Sequence, residues 1–181
     1  MLQRRIQEKM FNALEFMPVV LLRGARQTGK TTLTKFLCTM FPEYTYLTFD
    51  HLPTLVAAKN DPIDFIVRLK KPVILDEVQR VPEIFLPIKS DVDENRQPGR
   101  YILTGSADPL LIPKLGDSLA GRMRLLNLWP LSQGELAGTK EIFVDHIFDR
   151  KPLETGVISK ISKDNLLDRI LQGGYPSVMT M

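Results

Sequence analysis

Short apolar runs alternate with segments of helical periodicity along most of the chain. Five runs rich in β-branched and aromatic residues have the length of buried strands. They lie at residues 19–22, 44–49, 73–75, 101–106 and 124–129. Apolar residues recur at helical spacing in the intervening and later segments. These segments are residues 1–17, 32–40, 53–69, 82–95, 109–120, 131–136 and 164–172, with Asp61 and Pro62 dividing the third into two short helices.

The junction between the first strand and the next helix carries a glycine-rich loop. It reads G-x-x-x-x-G-K-T from Gly24 to Thr31, with a strand before it and a helix after it, which is the context that a phosphate-binding loop requires. A chance glycine turn before a helix is the alternative interpretation. The candidate nucleotide-binding residues are Gly24, Ala25, Arg26, Gln27, Thr28, Gly29, Lys30, Thr31 and Thr32.

Each part of this loop has a physical reason. Gly24 and Gly29 are expected to adopt backbone angles that other residues avoid, so that the loop curls around an anion. The loop amides and the positive end of the following helix then face the phosphates. Lys30 adds a full charge for the β- and γ-phosphates, and the Thr31 hydroxyl is a candidate ligand of Mg²⁺.

Two carboxylates follow the apolar run at residues 73–75. An acid at the end of such a strand helps to hold Mg²⁺ in loop-type NTPases, and this role suits Asp76. Glu77, the next residue, is a candidate to orient an attacking water or to accept its proton. The alternative is a pair of solvated acids that follow a strand.

Polar residues at later element ends are further candidates. Thr104 and Ser106 end the fourth strand, where a hydroxyl near the loop could sense the γ-phosphate; the alternative is an ordinary Gly-Ser turn. Arg122 precedes the fifth strand and is either an exposed basic residue or an arginine offered to a neighbouring subunit. We also expect the acids at 91, 93 and 94 to form a solvated helix end.

Composition and charge narrow the remaining choices. The 181 residues are 44% hydrophobic and 25% charged, which is typical of a globular domain. With 24 Lys and Arg against 21 Asp and Glu, the net charge of +3 is too small to indicate nucleic acid binding by itself. Cys38 is the single cysteine, and with two distant histidines it offers no zinc spacing. No run reaches the length of a membrane span, so we expect a cytoplasmic protein.

The combined motifs resemble those of the predicted prokaryotic ATPases of the AAA+ superfamily. The resemblance covers roughly residues 15–136, and it depends on the order of five motifs. They are Gly-Ala-Arg-Gln-Thr-Gly-Lys-Thr-Thr at 24–32, Val-Ile-Leu-Asp-Glu-Val-Gln-Arg-Val-Pro-Glu at 73–83, Ile-Leu-Thr-Gly-Ser-Ala at 102–107, Ser-Leu-Ala-Gly-Arg at 118–122 and Pro-Leu-Ser at 130–132.

This resemblance implies a fold and a set of roles. The fold is a three-layer α/β/α sandwich with a central parallel sheet in the strand order 5-1-4-3-2. Lys30 and Thr31 would belong to Walker A, Asp76 and Glu77 to Walker B, Thr104 to the first sensor, and Arg122 to an arginine finger that acts in a homo-oligomer. The implied cofactors are ATP and Mg²⁺.

The resemblance also implies a domain division. Residues 1–136 would form the ATPase domain, and residues 137–181 the start of a second domain that is largely missing. In the family Gly-Gly-Tyr-Pro, here at 173–176, usually opens the C-terminal region. Arg169 is the one nearby candidate for a second-sensor arginine, and incomplete closure of the site would limit hydrolysis.

Three functions remain open at this point. The first is Mg²⁺-dependent ATP hydrolysis. The second is a binding module for protein or DNA that ATP switches with negligible turnover. The third, a small-molecule kinase that uses the same loop, is disfavoured because the sequence has no arginine-rich lid segment.

Overall fold

The computed structural model describes residues 3–106, 119–141, 147–149, 161–176 and 178. The chain divides into two compact units. One comprises Ile6–Trp129, and the other comprises Met1–Arg5 with Pro130–Met181. The domain boundary predicted between residues 136 and 137 stays a prediction.

The first unit is built on a sheet of five strands. These are β1 (Val19–Arg23), β2 (Thr45–Thr48), β3 (Val73–Asp76), β4 (Tyr101–Gly105) and β5 (Met123–Asn127). The sheet order is β2-β3-β4-β1-β5, and every paired strand is parallel. This is the predicted order 5-1-4-3-2 read from the other edge, so the expected α/β class and strand order are confirmed.

The registers bring equivalent strand positions level with one another. Val19 lies opposite Tyr101 on one side and Met123 on the other, and Val73 also lies opposite Tyr101. Because the strands are parallel and start level, their carboxyl ends meet at one edge of the sheet. Open α/β sheets bind ligands at this edge.

Helices cover both faces of the sheet. They are α1 (Ile6–Phe16), α2 (Lys30–Met40), α3 (Leu52–Asn60), α4 (Pro62–Arg68) and α5 (Phe85–Glu94), with short 3-10 turns at Val78–Arg80 and Pro82–Ile84. Two apolar clusters separate the layers, because strands that are buried on both faces need apolar residues at successive positions. Val20 and Leu22 face Met10 of α1 and Leu33 of α2, whereas Leu21 belongs to the cluster on the face of α3, α4 and α5.

Some predicted elements need correction. The helix expected from Pro82 begins as a 3-10 turn, and the α-helix starts only at Phe85. The strands differ from the predicted ranges by one or two residues at their ends, and α1 begins at Ile6. Most of the helix predicted over residues 109–120, like Ser118 of the fourth motif, lies outside the described residues.

The expectation of a solvated acidic helix end is wrong for Asp91. Its side chain is only 16% exposed, and it accepts hydrogen bonds from Arg100 Nε at 2.8 Å and Tyr101 Oη at 2.6 Å. Lys71 Nζ lies 3.2 Å from the same carboxylate. Burial opposes ionisation, but these donors lower the pKa of Asp91 below its ordinary value. The position of Asp91 on α5 puts its carboxylate beside Arg100 and Tyr101 at the start of β4, whereas Asp93 is exposed.

The second unit contains α6 (Gln133–Ala137) and α7 (Lys163–Gln172). A capping box begins α6, because the Ser132 side chain accepts from the Glu135 amide while the Glu135 carboxylate accepts from the Ser132 amide. Glu135 also accepts from the Arg5 amide at 2.8 Å. No helix among the described residues has both the length and the apolar character to cross a membrane.

Candidate functional site

The loop between β1 and α2 owes its shape to two residues with positive φ and one close approach. Gly29 has a φ of 94° and Gln27 a φ of 65°, both in the left-handed region. Gly24 does not have a positive φ. Glycine is needed there for space, because an added Cβ would lie 2.4 Å from the Leu128 carbonyl oxygen.

Lys30 is buried within this loop. Its Nζ donates to the carbonyl oxygens of Gly24 and Ala25, each at 3.0 Å. Burial lowers the pKa of Lys30 from its ordinary value of 10.5, and the carboxylates of Glu77 and Asp76 oppose that shift. A phosphate bound in this loop would compete with the two carbonyl oxygens for the amine.

The other loop residues differ in exposure. Ala25, Arg26 and Gln27 are exposed, as is Thr32 in the first turn of α2. Thr28 is buried, and its hydroxyl donates to the Ala25 carbonyl at 2.9 Å.

Asp76 ends β3 as the centre of a hydrogen-bond network. Its Oδ2 accepts from the Thr31 hydroxyl at 3.1 Å and from the Tyr46 hydroxyl at 2.7 Å. Its Oδ1 accepts from the Thr104 hydroxyl. The side chains thus come from α2, β2, β3 and β4, and the carboxyl edge of the parallel sheet brings them together.

Glu77 lies beside this network in an unusual backbone conformation. Its φ of 63° is in the left-handed region, which costs a non-glycine residue about 1–3 kcal/mol, and such residues cluster at functional sites. The Glu77 amide donates to the Thr104 hydroxyl at 3.1 Å. The Glu77 carboxylate accepts from Gln79 Nε2.

The oxygen donors near the loop suit a magnesium ion. The Thr31 hydroxyl and the Asp76 carboxylate are 3.1 Å apart, and both are hard oxygen donors. The described residues contain no group of three or more His, Cys, Asp and Glu side chains that could hold a metal. This donor set therefore fits an ion that takes its remaining ligands from phosphate and water, as Mg²⁺ does.

Two residues of the site were not singled out from the sequence. The sequence around Tyr46 is that of an ordinary strand. Its hydroxyl reaches Asp76 only because β2 lies beside β3 in the sheet. Its pKa is raised by burial and by its hydrogen bond to Asp76. Gln79 lies two positions after Glu77. Its position in the sequence did not indicate a contact with Glu77, because the contact depends on the 3-10 turn at Val78–Arg80.

Arg122, the candidate arginine finger, is not part of this network, and neither is Arg80. Arg122 precedes β5, so it lies at the amino-terminal edge of the sheet, and it forms an ion pair with Asp93. Arg80 pairs with Asp50 at 3.2 Å and donates to the Phe49 carbonyl at 3.0 Å. Arg169 lies in α7 of the second unit. Because Arg122 lies at the opposite edge of the sheet from the glycine loop, a role for it at such a site would require a second subunit.

In the comparison with known families, residues 17–137 match a family model described as AAA domain. Two curated proteins match at 32% identity over 164 residues. They are Uncharacterized protein Mb2031c of Mycobacterium bovis and Uncharacterized protein Rv2008c of Mycobacterium tuberculosis. The match covers 90% of this chain but only 36% of each relative, so the chain spans about a third of their length.

Two solved structures have a similar fold. The Walker-type ATPase PABY2304 of Pyrococcus abyssi aligns with a TM-score of 0.56 at 16% identity, over 97% of this chain and 65% of that one. AMPPCP-bound DnaA from Aquifex aeolicus aligns with a TM-score of 0.52 at 14% identity, over 97% of this chain and 56% of that one. At these identities the likeness extends to the fold alone.

Proposed function

The chain belongs to the AAA domain family, and from that premise we propose that its P-loop ATPase domain binds ATP with Mg²⁺ and hydrolyses it. One observation carries the proposal. Thr31, Asp76, Glu77 and Thr104 form a continuous hydrogen-bonded group directly beside the glycine loop. Two solvated acids that merely follow a strand would have no reason to meet the loop and a neighbouring strand in this way.

Phosphate binding is assigned to the loop and Lys30. The amides of residues 24–32 and the amino end of α2 offer donors to an anion, and the amine adds a full positive charge. The lowered pKa of Lys30 reflects burial, so a bound triphosphate would restore a favourable environment for the charged amine. To bind the phosphates, the Lys30 amine must exchange its hydrogen bonds to the two carbonyl oxygens for bonds to phosphate oxygens.

Thr31 and Asp76 are assigned to Mg²⁺. When bound, the ion would neutralise charge on the β- and γ-phosphate oxygens. The hydrogen bonds from Tyr46 and Thr104 fix the orientation of the Asp76 carboxylate before any ion arrives. A ligand oriented in advance loses less entropy on binding.

Glu77 is assigned to the attacking water. The water oxygen bonds to the γ-phosphorus, the bond from that phosphorus to the bridging oxygen breaks, and ADP leaves with the bonding electrons. The proton released by the water passes to the Glu77 carboxylate. Thr104 is assigned as the γ-phosphate sensor that the family resemblance implies, and its hydroxyl also links the Glu77 amide to the Asp76 carboxylate.

Arg122 is assigned a role between subunits. It lies at the opposite edge of the sheet from its own loop, so it would reach the γ-phosphate of a neighbouring copy in a homo-oligomer. Within one chain, Arg122 forms an ion pair with Asp93. We further propose that residues 1–136 constitute the ATPase domain and that residues 137–181 begin a second one.

A phosphate-release assay tests the proposal. Glu77→Gln keeps the size of the side chain but removes the proton acceptor, so turnover should fall by about a hundredfold or more. Glu83→Gln, an exposed acid six positions later, makes the same charge change away from the site and should retain turnover. Equal turnover in wild type and Glu77→Gln would remove Glu77 from the mechanism.

A further inference from the structure

Gln79 uses both ends of its side-chain amide between two strands. Its Nε2 donates to Glu77 Oε2, and its Oε1 accepts from the Ser106 amide at 3.1 Å. Because a backbone N–H can only donate, the oxygen must face Ser106 and the NH₂ group must face the carboxylate. The amide orientation is therefore fixed by its two partners.

The end of β4 contacts the two acids after β3, the glycine loop and the 3-10 turn that carries Gln79. Thr104 contacts Asp76 and Glu77, the Gly105 carbonyl accepts from the Gly24 amide at 3.3 Å, and Ser106 holds Gln79. Gly105 also leaves room for this arrangement. An added Cβ there would lie 3.3 Å from Gln79 Oε1.

We infer that Gln79 is a positioning residue that holds the Glu77 carboxylate in place from the carboxyl end of β4. The inference rests on the proposed function, because it gives a task to the carboxylate that handles the water. Glu77 has a left-handed backbone and a flexible side chain, so its strand alone does not fix the carboxylate. The Gln79 amide supplies that constraint and connects it to the strand that contacts the phosphate loop.

A purely structural role makes a different prediction. If Gln79 only fastened its 3-10 turn to β4, its loss would affect turnover to the same degree with or without a catalytic carboxylate at position 77. If it acts through Glu77, its loss should have no further effect once that carboxylate is gone. Coupled residues of this kind show strong non-additivity in double-mutant cycles.

The experiment compares Gln79→Leu, Glu77→Gln and the double variant in the full chain. Gln79→Leu has a similar size without hydrogen bonds, and kcat should fall by about tenfold to a hundredfold, the range for losing a hydrogen bond to a charged group. KM and the Kd of a fluorescent ATP analogue should change by less than about twofold, since the lost contact does not touch the phosphate loop. Gln97→Leu, at an exposed glutamine, is the matched control.

The outcomes separate the inference from the proposed function. A drop in kcat that disappears in the Glu77→Gln background supports the positioning role. The same drop in both backgrounds, or a Gln79→Leu enzyme as fast as the Gln97→Leu control, overturns it while ATP hydrolysis stands. A wild type that binds the analogue but releases no phosphate overturns both the positioning role and ATP hydrolysis, in favour of a binding module. A wild type that binds no nucleotide overturns the positioning role and nucleotide binding alike.

Discussion

The hydroxyl of Thr31 donates a 3.1 Å hydrogen bond to the Asp76 carboxylate across 45 positions of sequence. This contact joins the first turn of α2 to the end of β3, and it puts the two candidate Mg²⁺ ligands side by side. Tyr46 and Thr104 hold the same carboxylate from the two strands that flank β3. Asp76 is thus oriented by three hydroxyl groups before any ligand binds.

The first prediction concerns Mg²⁺. Asp76→Asn keeps the shape of the side chain but removes the charge, so the gain in ATP-analogue affinity on adding Mg²⁺ should fall by about tenfold or more. The measurement is a binding titration with Mg²⁺ and again with EDTA. Asp64→Asn, at a partly exposed acid of α4, should keep the full gain. If Asp76→Asn keeps it too, the metal assignment is wrong.

The second prediction concerns Lys30. Lys30→Ala removes the charge that faces the phosphates, so the affinity for the nucleotide should fall by about tenfold to a hundredfold. Lys59→Ala, at an exposed lysine of α3, should bind normally. The measurement is fluorescence anisotropy, with thermal unfolding recorded for both variants. Normal binding by a folded Lys30→Ala would rule out the loop as the phosphate site.

The third prediction concerns stability at the start of β4. Asp91→Asn leaves Arg100 and Lys71 without their shared carboxylate, so the free energy of unfolding should fall by about 2–3 kcal/mol at neutral pH. Asp93→Asn breaks an exposed pair on the same helix, which water and salt screen, so it should cost much less stability than Asp91→Asn. Urea unfolding measures both, and equal losses would contradict the difference in burial.

The stability difference between wild type and Asp91→Asn should depend on pH in the acid range. Because the folded pKa of Asp91 lies below its ordinary value of 3.8, its contribution is present above that pH and is lost as the pH falls through the folded pKa. The stability gap between wild type and Asp91→Asn should therefore be constant near neutral pH and narrow below pH 3.8. A gap that persists unchanged into stronger acid would show that charge is not its cause.

The fourth prediction concerns alkaline pH. Burial, with a smaller effect of Glu43, raises the pKa of Tyr44 from 10.0 to about 12, while its hydroxyl donates to the Gly99 carbonyl at 2.5 Å. A raised folded pKa means that this contribution is complete below pH 10.0 and is lost as the pH rises to about 12. Wild type should therefore lose more stability across this window than Tyr44→Phe. Parallel losses in thermal melts would contradict the assignment.

The fifth prediction concerns Arg122. If a neighbouring subunit supplies this arginine, turnover per molecule should rise with protein concentration, and Arg122→Ala should abolish the rise. Arg96→Ala, at an exposed arginine near the same sheet edge, is the control. Turnover that is independent of concentration would leave Arg122 with its side-chain contacts within one chain, which are the ion pair to Asp93 and the hydrogen bond to the Ala120 carbonyl.

Local sequence determined the parts of the site that follow one another along the chain. The strand, the glycine loop and α2 could be predicted together because their turn chemistry and helical spacing are encoded within about twenty residues. Asp76 and Glu77 were recognisable because a buried strand that ends in acids is itself a local pattern. The order of the strands followed from the family resemblance, and the parallel pairings confirm it.

Tertiary structure decided the contacts between distant elements. Tyr46 and Gln79 reach Asp76 and Glu77 only because β2 pairs with β3 and a 3-10 turn folds back toward β4. Asp91 looked like part of a solvated helix end, yet the packing of α5 turned it toward Lys71 and Arg100. The reason is physical: sequence spacing sets which face of an element a side chain occupies, whereas its partner depends on which element packs against that face.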